Sequence, residues 1–204
     1  MKEDVIVSLK YWGQATLHPH RVIAELKTHP HKLAIGFWIN FVFAVLYTIT
    51  VIIYYAVIRR LPAFPPWVPI SPESYYFYQA FWTIPWGLAT WIMMSGICHL
   101  LSLIGRKDPN QYQFDDALVV CGLGWIVPNL ICMWIPETLL VPTVGAFWPE
   151  WVEILRLMVI PPLWQTAIVA IGLRETHHLG WTRSIAIGLL SVLIFFIMFL
   201  AFMR

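Results

Sequence analysis

Charge is scarce in this sequence. Lys and Arg number 13 and Asp and Glu 11 among 204 residues, or 12%, where a soluble domain carries about 25%. That excludes a water-soluble fold, which needs a polar shell around its core. Cysteine is scarcer still, at 3 residues. Cys98, Cys121 and Cys132 each lie inside an apolar run without a CxxC spacing, which argues against a disulfide framework or zinc knuckle and for small packed apolar residues. The net charge of +2 is too small to point to nucleic acid. A basic start leading into a short apolar core and a cleavage site is missing, so the first long apolar run is expected to act as an uncleaved insertion signal. Nucleophile elbows, paired-carboxylate signatures, phosphate-cradling glycine loops and His-Glu-x-x-His are all absent from the sequence. Neither an enzyme nor a cofactor is expected. Haem ligation would need a facing pair of axial ligands, which His99 alone does not supply.

What the chain has is apolar length. It is 59% hydrophobic with a mean hydropathy of +0.70, and it carries 12 Trp, 12 Phe and 8 Tyr. Five stretches approach or exceed the roughly 20 residues that cross a hydrocarbon core: 33–58, 78–104, 116–135, 150–173 and 184–203. The reading is an all-α integral membrane bundle of five transmembrane helices. Residues 1–32 form a cytoplasmic or interfacial segment with a short interfacial helix, and 33–204 form the membrane domain.

Orientation follows from the basic residues. Lys2, Lys10, Arg21, Lys27, Lys32, Arg106, Lys107, Arg174 and Arg183 fall on one side; Arg59, Arg60, Arg156 and Arg204 fall on the other. Nine against four predicts a cytoplasmic N-terminus and an external C-terminus. The external connections, "RRLPAFPPWVPISPESYY" and "PETLLVPTVGAFWPEW", read as aromatic loops lying on the bilayer, the first stiffened by five prolines.

The histidines allow two readings. "LHPHRVIAELKTHPHKL" places His18, His20, His29 and His31 ahead of the first span, and "LRETHHLGWTR" adds His177 and His178 on the same side. Imidazole is a common metal ligand, so these six are metal candidates. Their spacing matches no recognised site, however, and proline favours the first turn of a helix. On that second reading Pro19 opens a short helix and Pro30 opens the first span. Val22, Ile23 and Leu26 then make an apolar strip against the inner leaflet, with Val5, Leu9 and Trp12 a weaker strip upstream.

Within the spans, Asp115 and Asp116 are expected to cap the third helix and Arg156 to snorkel from the fourth. Pro85, Pro128, Pro161 and Pro162 mark candidate helix breaks, which in transporters create substrate sites. Ala117, Cys121, Gly124, Pro128 and Cys132 share one stripe of the third span, and Ser184, Gly188 and Ser191 share one on the fifth. Such small-residue stripes permit helix packing and assembly.

In order and pattern these features resemble the Yip1 domain family of five-span membrane proteins. The resemblance is carried by "HPHRVIAELKTHPHKLAIGFWI", "YQFDDALVVCGLGWIVPNLI" and "GLRETHHLGWTRSIAIGLL", and covers roughly residues 14–200. It implies a helical membrane domain without known catalysis, whose eukaryotic relatives are associated with Rab GTPases and ER–Golgi traffic. The long N-terminal region of those relatives has no counterpart here, so the chain resembles the compact prokaryotic branch. The expectation is a non-enzymatic, membrane-organising or partner-binding protein in contact with lipids and with a membrane-protein partner or its own copies. Its expected place is the prokaryotic cytoplasmic membrane, with ER or Golgi as the alternative. A small-solute or metal-ion transporter using the proline breaks and the histidine face is the competing reading.

Overall fold

The computed structural model describes residues 2–62, 69–107, 112–140 and 149–202. Among these it is predominantly helical, without strands. Five helical segments are long and apolar enough to cross a membrane: span 1 Lys32–Ile58, span 2 Pro72–Leu103, span 3 Phe114–Leu139, span 4 Glu150–His177 and span 5 Trp181–Phe199. Two shorter helices precede them, α1 Lys2–Leu17 and α2 Pro19–Lys27. The end of the bundle that carries α1 and α2 is the proximal end; the other is distal. The interfacial-loop reading falls largely on 63–68 and 141–148, which lie outside the described residues.

Span 3 is the axis. It packs against spans 1, 2 and 4, and its most apolar window is 72% buried, where no other span exceeds 39%. Lipid tails are as apolar as leucine, so association inside a bilayer depends on close approach and on polar bonds between helices. The small stripe of span 3 lies at that approach: Ala117, Cys121, Gly124, Pro128 and Cys132 are all buried. A Cβ at Gly124 would lie 2.6 Å from Val169 of span 4. Polar bonds fasten the same joints. Trp91 Nε1–H donates to the Leu118 carbonyl at 2.7 Å, and Gln165 Nε2–H reaches Met94 Sδ at 3.4 Å and Ser191 Oγ at 3.3 Å. Asn40 and Asn129 instead bond carbonyls of their own helices, Gly36 and Trp125.

The prolines interrupt less than their positions suggest. Span 2 runs as one α-helix from Tyr75 to Leu103 through Pro85. Pro128 precedes a π-helical turn, Leu130–Trp134, and Pro161 and Pro162 follow another, Leu155–Val159, as the opening turn of a new α-segment. Widening the turn accommodates the missing N–H without unwinding the chain.

The N-terminal segment differs from expectation in what it faces. α2 begins at Pro19 as predicted, but span 1 begins at Lys32, with Pro30 left in the turn before it. Val22, Ile23 and Leu26 are each 1% exposed and belong to the main core. Protein, chiefly span 4, covers the strip that was expected against lipid. In α1, Tyr11, Trp12 and Ala15 turn inward while Leu9 is exposed. Ser8 Oγ–H donates to the Ile35 carbonyl and ties α1 to the first turn of span 1.

The stripe of span 5 is also occupied within one chain. Ser184, Gly188 and Ser191 are buried, and a Cβ on Gly188 would sit 2.8 Å from the Thr166 carbonyl oxygen of span 4. Because the obstacle is backbone, Gly188→Ala should lower the thermal midpoint of the monomer in detergent, in line with the 1–3 kcal/mol cost of overpacking, ~2 at its centre. Gly96→Ala, whose Cβ meets nothing within 4 Å, should leave the midpoint unchanged or raise it slightly.

Candidate functional site

Ionisable side chains inside a membrane bundle are costly and mark function by default. Here they collect at the two ends. At the distal end, among the described residues, four π-helical turns stand together, Tyr54–Ile58, Leu130–Trp134, Pro136–Leu140 and Leu155–Val159, and each contributes a member of one polar network. Arg156 is its centre. The guanidinium donates to the Cys132 carbonyl at 2.9 Å, to Glu137 Oε1 at 2.9 Å and to Glu153 Oε2 at 2.5 Å. The other Glu137 oxygen accepts from Tyr54 O–H and, at 3.3 Å, from Arg60. Arg60 lies 4.9 Å over the Tyr54 ring, and Thr50 and Thr138 hydroxyls meet at 2.6 Å beside it. Burial opposes the Arg60 charge, but Glu137 and the Tyr54 and Tyr76 hydroxyls outweigh it and hold its pKa above the usual arginine value.

This arrangement corrects two expectations. Arg156 does not snorkel out of the bundle; it is 8% exposed and turned into it. The predicted third span ended at 135 and left Glu137 in a loop, whereas the helix continues and carries Glu137 into the network. Two cations and two carboxylates balance, which is what allows Arg156 and Glu137 to be enclosed. Periodicity gave no sign of this pairing, because its partners come from spans 1, 3 and 4.

At the proximal end the structure brings together His99 and His177, from spans 2 and 4. His99 Nδ1 and His177 Nε2 are 3.1 Å apart. Thr176 donates its only hydroxyl proton to the Gly172 carbonyl at 2.8 Å, so toward His177 Nδ1, also at 2.8 Å, it accepts. His177 therefore carries its proton on Nδ1 and accepts from His99 through Nε2. Tyr112 stacks on the His177 ring, and Arg106 lies over Tyr112 while donating to the carbonyls of His177 and His178. Lys27 of α2 donates to the Glu175 carbonyl at 3.0 Å. Cations thus gather on the unsatisfied carbonyl end of span 4, where they favour the helix dipole.

The His-Pro-His residues are not gathered in this way. His20 pairs with Glu175 at 3.0 Å, His29 accepts from the His31 backbone N–H at 3.1 Å, and His18 and His178 are exposed. Among the described residues no group of three or more metal donors forms. Asp116, expected as a cap, instead pairs with Lys32 at 2.6 Å, an ion pair that joins the starts of spans 1 and 3.

Five apolar spans around a central third, entered through a Pro-initiated helix, agree with a family model for the Yip1 domain that matches residues 14–203. The chain belongs to the Yip1 domain family. No match was found among curated proteins or among solved structures. The Yip1 model takes in α2 and all five spans, so both polar clusters lie within the matched region.

Arg156→Gln would leave Glu137 and Glu153 facing each other without their central cation. The expected loss is ~3–5 kcal/mol, as when one partner of a buried pair is removed. Arg60, whose side chain is 42% exposed, should cost about 1 kcal/mol or less when replaced by Gln. Thermal unfolding of the two variants in the same detergent checks the order.

Proposed function

We infer that this Yip1-family chain is a non-enzymatic membrane protein that organises the membrane or holds partner membrane proteins. The observation that carries this is where its polar side chains are spent. Gln165, Trp91, the Arg156 network and the His99–His177 pair all join one helix to another, and the proline positions leave the helices continuous. Such a bundle is built to keep a shape and present a surface. The positive-inside count supports a cytoplasmic N-terminus.

The transporter reading is favoured by one observation, the two imidazoles facing each other at 3.1 Å near the proximal end. Native mass spectrometry from a mild detergent separates the two. A defined oligomer or a co-purifying membrane protein, without a metal adduct, is the expected result. A stoichiometric zinc adduct lost on replacing His99 and His177, together with zinc uptake into proteoliposomes, would reverse the conclusion.

A further inference from the structure

The distal ends of spans 1 and 2 enclose an open cavity of about 510 Å³, lined among others by Tyr55, Arg59, Arg60, Leu61, Glu73 and Ser74. Its shape comes from how span 1 stops. Arg59 adopts a left-handed conformation, φ 52° and ψ 41°, and the Arg60 N–H turns back to the Tyr54 carbonyl at 3.0 Å. That places two guanidinium-bearing residues side by side on the cavity wall, across from the opening turn of span 2.

The charges divide unevenly between network and cavity. Arg60 is held from behind by Tyr54 and Glu137, and its side chain remains 42% exposed. Arg59 and Glu73 are both exposed, and neither forms an ion pair among the described residues, although both line the same cavity. The cavity therefore offers one unpaired guanidinium, Arg59, the exposed edge of a second that Glu137 already pairs, and one separate carboxylate.

Around it the surface is aromatic and faces outward. Tyr55 and Phe77 rings lie 5.5 Å apart and Phe77 and Phe81 5.2 Å apart, and Tyr55, Phe77, Phe81 and Trp82 are all exposed. Tyr and Trp concentrate at the headgroup level of a bilayer. From there the exposed stripe continues down span 2 into the hydrocarbon, where an acyl chain would lie.

We propose that this cavity binds the headgroup of a glycerophospholipid bearing a primary amine, with the phosphate on Arg59 and Arg60 and the ammonium on Glu73. Guanidinium groups match phosphate oxygens in charge and geometry. The carboxylate matches an ammonium that keeps its N–H donors. A lipid with only an anionic headgroup would leave Glu73 unanswered. The tails would run along Phe77 and Phe81. This assignment is independent of whether the protein has a protein partner.

The test uses the full chain, stripped of lipid in detergent and supplied in turn with phosphatidylethanolamine, phosphatidylglycerol, phosphatidylcholine and inorganic phosphate. Retention is read by native mass spectrometry and stabilisation by the thermal midpoint. Phosphatidylethanolamine should be retained at one per chain and raise the midpoint most. Arg59→Asn removes the charge with a residue that tolerates the left-handed backbone, and Glu73→Gln removes only the carboxylate. Each should weaken retention about tenfold or more, the loss of one charge-assisted bond, with the lipid-free midpoint unchanged. Equal retention of phosphatidylglycerol and phosphatidylethanolamine that ignores Glu73→Gln would overturn the amine assignment. Stabilisation by inorganic phosphate equal to that by lipid would overturn the lipid in favour of free phosphate. Retention unaffected by either substitution would overturn the site.

Discussion

A polar group inside hydrocarbon has no water to fall back on, and the rest of this molecule is arranged around that constraint. Backbone groups meet it by forming helices. Side chains meet it by being placed at the two ends of the bundle and paired there, Arg156 with Glu137 and Glu153 distally, Lys32 with Asp116 and His99 with His177 proximally. The middle is left to apolar and small residues and to a few uncharged polar ones, among them Gln165, Asn40 and Asn129, whose bonds stay inside the bundle. The distal network coincides with four π-helical turns, and the coincidence has a cause. Each widened turn alters the register of the side chains that follow it, which allows residues on spans 1, 3 and 4 to converge.

Away from the ends, cohesion comes from proximity. Span 3 reaches its neighbours through Gly124 and its small stripe, and span 5 reaches span 4 through Gly188 and Ser191. Because lipid competes on equal terms for apolar contact, close packing and a few buried polar bonds between helices must do what the hydrophobic effect does in water. α2 extends the same principle to the surface. It lays Val22, Ile23 and Leu26 on the core and sends Lys27 to the carbonyl end of span 4.

This arrangement gives physical content to the proposed membrane-organising role. The interior is engaged in holding itself together, and what is offered outward is an apolar belt, an aromatic rim at the distal end and a basic cavity within that rim. Surfaces of that kind meet lipids and other membrane helices.

The sequence by itself determined the class, the five spans and the family. Hydropathy over some twenty residues is a local property, and the bilayer enforces it segment by segment. It also disclosed α2 through Pro19 and the small stripes through their helical spacing. Only the tertiary structure decided what those features face: protein instead of lipid for Val22, Ile23 and Leu26, and the fold's own span 4 for Gly188. It also decided that Glu137 and His177, which pair with Arg156 and His99, lie on other helices than their partners. Glu137 was hidden by a boundary, because hydropathy falls at Pro136 and Glu137 while the helix runs on. Charges that are neutralised across helices leave no trace in any one segment, so the pairing becomes visible only when spans 1, 2, 3 and 4 are placed side by side.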